Sequence, residues 1–312
     1  MRSIESLRIP EPLRKSNIGS AVTIGVFDGL HRGHMQLIRT LIDVSAELQS
    51  IVVTFTKHPL SVLDSSFAPK YLCSVEDRLS ILNEVGVDAV LPLDFDEEIA
   101  TLEAEAFVQL LCKNLNLKNL VAGPGFALGH KRQGNLQILK QLGVKYGFAV
   151  TDVLPISEPS GLITSTRIRD ALNNGFVQKA ADLLGRNFML KGKVVKGDGI
   201  GHTLGFPTAN ILSEKNIIIP NDGIYATWAY INDGISTRKM KSATSIGVRP
   251  TFGKEIRTVE SYILDYEEDL YGQSMTLEFI DRIRDEIRYE SINLLTDQMH
   301  VDVRDIRKIL DN

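Results

Sequence analysis

The chain has 312 residues, of which 43% are hydrophobic and 24% charged, and its formal net charge is −4. These values describe an ordinary soluble globular protein with room for two cores, and they speak against a nucleic-acid-binding surface or a membrane face. No apolar run approaches a membrane span, Met1 to Glu5 carries no signal-peptide core, and the two cysteines, Cys73 and Cys112, lack metal-ligand spacing. The expectation is a cytoplasmic protein whose two thiols are reduced and packed.

The first part of the chain alternates short β-rich runs with helical periodicity. Ala21 to Val26 reads as a buried strand followed by a helix over 33–48, and Ile51 to Phe55 as a strand before a helix over 75–85. Ala89 to Leu93 precedes a helix over 103–114, Asn119 to Ala122 a helix over 134–146, and Phe148 to Val153 is a further strand. Such alternation predicts a parallel sheet covered by helices. Thr164-Ser165-Thr166 then opens a helix that stops at Asn173-Asn174-Gly175.

Beyond Ala181 to Arg186 the texture changes, which puts a domain boundary at 185/186. Phe188 to Val195, Ile224 to Ile231, Lys241 to Val248, Thr258 to Leu264 and Met275 to Ile280 are strand-like runs separated by Gly, Pro and Asn turns. Short strands at that spacing predict a small β-barrel or sandwich. A final helix runs from Ser291 to about Leu310, with Leu294, Leu295, Met299, Val303, Ile306 and Leu310 on its packing face.

The most telling segment of the first part is Gly25-Val26-Phe27-Asp28-Gly29-Leu30-His31-Arg32-Gly33-His34, a strand exit, a tight turn and a helix start. The two histidines are three residues apart, so both side chains fall on one face of the first helical turn. Unpaired N–H groups and positive partial charge at a helix N-terminus suit phosphate, and two imidazoles there add hydrogen-bond donors. Thr54 to Pro59 ends the second strand, where Phe55 is placed to pack on a planar ring and His58 to meet a phosphate. Thr164 to Arg169 again puts hydroxyls and arginines at a helix start, as a triphosphate requires.

His31-Arg32-Gly33-His34 with Thr164 to Arg169 resembles the paired motifs of the nucleotidyltransferase superfamily. With its surroundings this half is similar to the N-terminal half of the bacterial bifunctional riboflavin kinase/FAD synthetase family. The resemblance implies a Rossmann-like α/β domain that transfers AMP from ATP to FMN with Mg²⁺ and releases pyrophosphate. It implies that His31 and His34 meet the ATP phosphates, that Ser165, Thr166 and Arg169 hold the tail, and that Asp28 and Gly29 lie at the nucleotide. Phe55, His58 and Phe126 are the candidate flavin contacts. One segment departs from the family pattern, which has an acidic residue and an aromatic where Gly123-Pro124-Gly125-Phe126-Ala127-Leu128-Gly129 has Gly125 and Leu128. Losing a carboxylate and a stacking ring implies weaker flavin binding in this half.

In the second half, Gly192 to Gly201 joins a strand to a glycine-rich loop, followed by Leu204-Gly205-Phe206-Pro207-Thr208-Ala209-Asn210. Thr208 and Asn210 offer oxygens to a hard cation bridging nucleotide phosphates. These residues, with Gly247 to Phe252 and Asp269-Leu270-Tyr271-Gly272, closely resemble the riboflavin kinase module of the same family. The resemblance implies an antiparallel barrel with a C-terminal helix and Thr208 and Asn210 on Mg²⁺–ATP. It also implies Glu260 as the base for the riboflavin hydroxyl and Gly197, Gly199 and Gly201 closing over the phosphates. His202 stands where the family often has arginine, and Ser245 where it usually has asparagine. Arg282 to Glu286 reads as a solvated charged edge, with a flavin contact through Arg284 as the alternative. The expected substrates and products are riboflavin, FMN, FAD and ATP. The alternatives are a riboflavin kinase with weak or reduced-flavin-dependent adenylylation, or a flavin- or nucleotide-binding regulator without turnover.

Overall fold

The computed structural model describes residues 18–63, 69–197, 200–232, 234, 236–251 and 254–311. Contacts divide the chain into two units, one built from residues up to Pro69 with Ser74–Thr164, the other from Lys70–Cys73 with residues from Ser165 onward. The helices Ser165–Asn173 and Val177–Leu184 therefore pack with the second unit.

The first unit is a five-stranded sheet. Its strands are β1 (Ser20–Gly25), β2 (Gln49–Phe55), β3 (Ala89–Leu93), β4 (Leu117–Ala122) and β5 (Ala149–Asp152), all parallel, in the order β3-β2-β1-β4-β5. Between them run α1 (Arg32–Asp43), α2 (Val75–Val85), α3 (Ala104–Leu115) and α4 (Leu136–Tyr146). Both sheet faces are apolar, so each strand reads as a hydrophobic run rather than an alternation. Ala21, Val52 and Val121 pack with Leu37, Ile38 and Leu41 of α1 and Leu82 of α2. Val22, Val53 and Leu120 pack with Phe107, Val108 and Leu111 of α3 and Leu139 of α4 on the other face. The strand order reverses between β1 and β4, and in open α/β sheets the ligand crevice lies at that reversal, beyond the carboxyl ends of the strands.

The second unit contains α5 (Ser165–Asn173) and α6 (Val177–Leu184) and a closed antiparallel barrel. The barrel strands are β6 (Phe188–Val195), β7 (Thr208–Ser213), β8 (Gly223–Asn232), β9 (Thr237–Thr251), β10 (Lys254–Ile263) and β11 (Ser274–Arg284), ordered β6-β7-β10-β9-β8-β11 around the wall. Inward residues fill it: Phe188, Leu190, Tyr225, Leu277 and Phe279 are fully buried. So are Thr227, Ser242, Thr244 and Ser261, whose hydroxyls satisfy one another at 2.7–3.0 Å. Such pairing makes a polar stripe tolerable inside a small barrel. The C-terminal helix α7 (Ile292–Asp311) lays Ile306 and Leu310 on the barrel beside Ala226.

One strand is added and two readings of the sequence are corrected. Thr208 and Asn210 stand on a strand, β7, which the turn-like Gly-Phe-Pro approach concealed; pairing with β6 and β10 makes it a strand. The first helix ends at Asp43, not 48. Leu294 is 52% exposed, and the packing face of α7 instead includes Asp302, 5% exposed.

Candidate active sites

In the first unit the chain leaves β1 into a turn that only strong local constraints maintain. Phe27 and Leu30 hold positive φ of 51° and 42° on either side of Gly29 at 77°. A residue with a side chain resists that region, so the turn stores strain of order 1–3 kcal/mol per residue. Its anchors are buried: Phe27, Asp28, Leu30 and His31 are at most 5% exposed. His31 caps α1, its Nδ1 accepting from the His34 backbone N–H at 3.3 Å. The two imidazoles stack with centroids 3.7 Å apart, and Phe27 meets His34 edge-on at 5.3 Å. The predicted juxtaposition of the histidines is therefore present.

Their protonation follows from the surroundings. His31 uses Nδ1 as an acceptor, so its proton resides on Nε2. His34 Nδ1 is buried with no hydrogen-bond partner among the described residues, which also favours Nε2–H. Burial, then the His31 ring and the Arg78 guanidinium, hold the His34 pKa well below 6.5. A neutral Nε2–H imidazole is a fixed donor that needs no proton uptake before meeting phosphate.

This has a measurable consequence for stability. The unfolded chain protonates His34 near pH 6.5 while the folded chain resists it, so the unfolded state binds more protons below that pH. Stability of the first unit should fall as pH drops below about 6.5 toward the depressed folded value. Denaturant midpoints of wild type and His34→Gln between pH 7.5 and 5 test this: the wild type should lose more stability on acidification, and equal losses would refute it.

The other candidates in this unit occupy different environments. Phe55 is 8% exposed and meets Phe95 edge-on at 5.3 Å within the core. His58 Nδ1 accepts the Leu60 N–H at 3.1 Å, capping the short helix Pro59–Leu63. Phe126 is half-buried on the wall of a cavity of about 560 Å³ beyond β4 and β5, walled also by Gly123, Gly125, Arg132, Asp152 and Leu154. Arg132 donates to the Gly125 carbonyl at 2.6 Å. Leu128 does not line this cavity; it is 8% exposed and joins the core, so it is a packing position. Only Gly125 removes a side chain from the cavity wall.

In the second unit, Ser165 and Thr166 begin α5, and Arg169 Nε donates to the Lys70 carbonyl at 2.6 Å. Ser165 and Arg169 are half-buried and Thr166 is exposed.

The barrel site is built by register. Asn210 of β7 and Ser245 of β9 both pair with Glu260 of β10, and Thr208 pairs with Tyr262, so Thr208, Asn210 and Glu260 share one face. Thr208 Oγ1 donates to Glu260 Oε2 at 3.2 Å and Thr258 Oγ1 to Oε1 at 3.3 Å. Glu260 is 9% exposed and opens onto a cavity of about 150 Å³. Phe206, Ile224 and Tyr262 form one wall, and Leu295, Met299 and Val303 of α7 the other. A second cavity of about 170 Å³, walled by Pro207, Ala209, Leu270 and Tyr271, also has Thr208 in its lining.

Glycine is required beside this face. A Cβ on Gly197 would lie 2.2 Å from the Asn210 amide, and one on Gly201 2.4 Å from the Phe206 carbonyl oxygen. Gly199 lies outside the described residues. Sequence reasoning missed Asp302, which joins Arg284 in a two-armed ion pair at 2.6 and 2.9 Å on the lining of the 150 Å³ cavity. The solvated edge is thus confined to Asp285 and Glu286, while Arg282 and Arg284 are half-buried. Asp302 was legible as a charge on the apolar stripe of α7, three residues after Met299.

Thr208, Asn210 and Glu260 are all hard oxygen donors close together, the donor set that suits Mg²⁺ shared with phosphates and water.

Comparison with known proteins matches a different family to each part of the chain. The FAD synthetase family matches residues 13–167 and the riboflavin kinase family residues 184–310. The bifunctional riboflavin kinase/FMN adenylyltransferase of Escherichia coli (strain K12) is 36% identical over 284 residues, 90% of either chain. That of Bacillus subtilis (strain 168) is 31% identical over 319 residues, 99% of either chain. A crystal structure described as a macrolide-efflux protein from Streptococcus pneumoniae is 31% identical with a TM-score of 0.85, covering 94% of this chain and 95% of that one. Among the described residues no helix is long and apolar enough to cross a membrane.

Proposed function

Because this chain belongs to the bifunctional riboflavin kinase/FMN adenylyltransferase family, it makes FMN from riboflavin and FAD from FMN, and we propose that the two activities divide at 185/186. Residues 186–312 carry the kinase. The isoalloxazine takes the cavity between barrel and α7, whose apolar walls suit a planar ring, and its ribityl chain reaches Glu260. ATP approaches from the cavity on the other side of Thr208. The observation that carries this reading is that Thr208 lines both cavities and donates to Glu260, so acceptor and donor meet at one point.

The 5′-hydroxyl oxygen attacks the γ-phosphorus in line, ADP leaves, and Glu260 takes the hydroxyl proton. Thr208 and Asn210 hold Mg²⁺, which when bound neutralises charge on the phosphates. Gly197, Gly199 and Gly201 let the backbone close over the triphosphate. Residues 1–185 carry adenylyl transfer: an FMN phosphate oxygen attacks the α-phosphorus of ATP and pyrophosphate leaves, without a covalent enzyme intermediate. His31 and His34 donate through Nε2 to the phosphates, and Asp28 and Gly29 shape the turn that presents them. Ser165, Thr166 and Arg169 bind the triphosphate. Phe126 contacts the flavin ring, while Phe55 and His58 shape the β2 end of the flavin site. We assign the protein to the cytoplasm.

The direct test is chromatography of purified protein incubated with riboflavin, ATP and Mg²⁺: FMN should appear first and FAD later, and absence of FMN overturns the reading. Thr208→Ala should raise the Mg²⁺ concentration for half-maximal FMN formation about tenfold, the loss of one good oxygen ligand. Gly125 favours a second reading, a kinase whose adenylyl transfer is weak or needs reduced flavin. FAD formation from FMN and ATP, run aerobically and then with dithionite, separates the two.

A further inference from the structure

Arg78 is fully buried, yet no step above uses it. It enters on α2, whose N-cap Ser74 accepts the Asp77 N–H at 3.0 Å and fixes the helix start. The guanidinium reaches under the sheet edge, where Nη1 donates to the Phe55 carbonyl at 2.7 Å and to Thr54 Oγ1 at 3.2 Å. Thr54 Oγ1 in turn donates to the Val26 carbonyl at 3.2 Å, the last residue before the strained Phe27 turn. One buried cation thus ties α2, the end of β2 and the end of β1 together, and its charge reaches the His34 ring.

Taking a charge out of water costs several kcal/mol even after relaxation. A methionine at this point on the apolar stripe would fill the space without that cost. The charge becomes favourable when something negative arrives nearby, and the fixed donors above it face the place where phosphate charge grows during adenylyl transfer. We propose that Arg78 is a positioning residue for adenylyl transfer: it locks the ends of β1 and β2 so that the histidine turn keeps its strained shape, and it stands as a fixed positive charge behind His34. Arg78 does not itself touch the nucleotide in this scheme. The inference rests on the assignment of His34 to the ATP phosphates, which a His34→Ala variant with undiminished FAD formation would separately sink.

The test uses the full chain with Arg78→Met, which keeps the bulk, and Arg78→Lys, which keeps the charge. Met should lower kcat for FAD formation from FMN about tenfold or more while KM for FMN changes little. Lys should restore most of kcat. Kinase activity in the same preparation should match wild type. The titration of the His34 ring adds a readout that packing alone does not move. Among the described residues the charges acting on His34 are His31 at the start of its own helix and Arg78 from α2. The His34 imidazole, followed by NMR, should therefore titrate at higher pH in Arg78→Met and stay in place in Arg78→Lys. Wild-type kcat in the Met variant, or equal losses in both, overturns the proposal. If Arg78→Met fails to fold, Arg78→Lys decides: retained kcat with an unmoved His34 titration supports it, and a lost kcat or a moved titration overturns it.

Discussion

Glu260→Gln should cut the rate of FMN formation from riboflavin by about 10²–10⁴, the usual worth of a positioned general base. The substitution keeps the shape of the side chain: the amide oxygen accepts from one of the Thr208 and Thr258 hydroxyls, and the other hydroxyl can turn to accept from the amide NH2. It removes the negative charge and with it the ability to take a proton. Fluorescence titration should therefore find riboflavin binding little changed, so the loss falls on kcat. FAD formation from supplied FMN should persist at the wild-type rate, because Glu260 belongs to the barrel. A variant that still makes FMN within about tenfold of wild type would exclude Glu260 as the base.

Replacing His34 should do the reverse. His34→Ala removes one preorganised donor from the phosphate site, and such losses cost about 10²–10³ in kcat. FAD formation should fall by that factor and riboflavin phosphorylation should not. Ala also removes the ring that stacks on His31 and meets Phe27, so the strained turn loosens. His34→Gln separates the two effects: it restores a donor of similar reach without the ring. If Gln recovers much of the rate, donation is the dominant contribution; if neither variant slows FAD formation, His34 is not at the phosphates.

Much of this site was legible before any coordinates. His31 and His34 are three residues apart at a helix start, and helical geometry alone puts them on one face; the 3.7 Å stacking follows from that spacing. The barrel face was legible only in part. Thr208 and Asn210 alternate correctly for a strand, but the preceding Gly-Phe-Pro reads as a turn, and only pairing with β6 and β10 brings them beside Glu260, fifty residues away. Phe55 shows the opposite error. An aromatic at a strand end looked available to a ligand, while the packed sheet turned it inward against Phe95. Leu128, likewise, mattered less than its motif position suggested, because its side chain points into the core.

The sequence by itself determined what local geometry governs: the α/β alternation, the histidine pair, the helix starts and the glycines that phosphate loops need. These depend on residues a few positions apart, where periodicity and capping rules act directly. The tertiary structure decided which distant residues share a face and which charges are buried. Register around a closed barrel joined Asn210, Glu260 and Ser245, and packing of α2 against the sheet buried Arg78. The physical reason is that burial and pairing are set by the summed packing of elements far apart in the chain, which no local pattern contains.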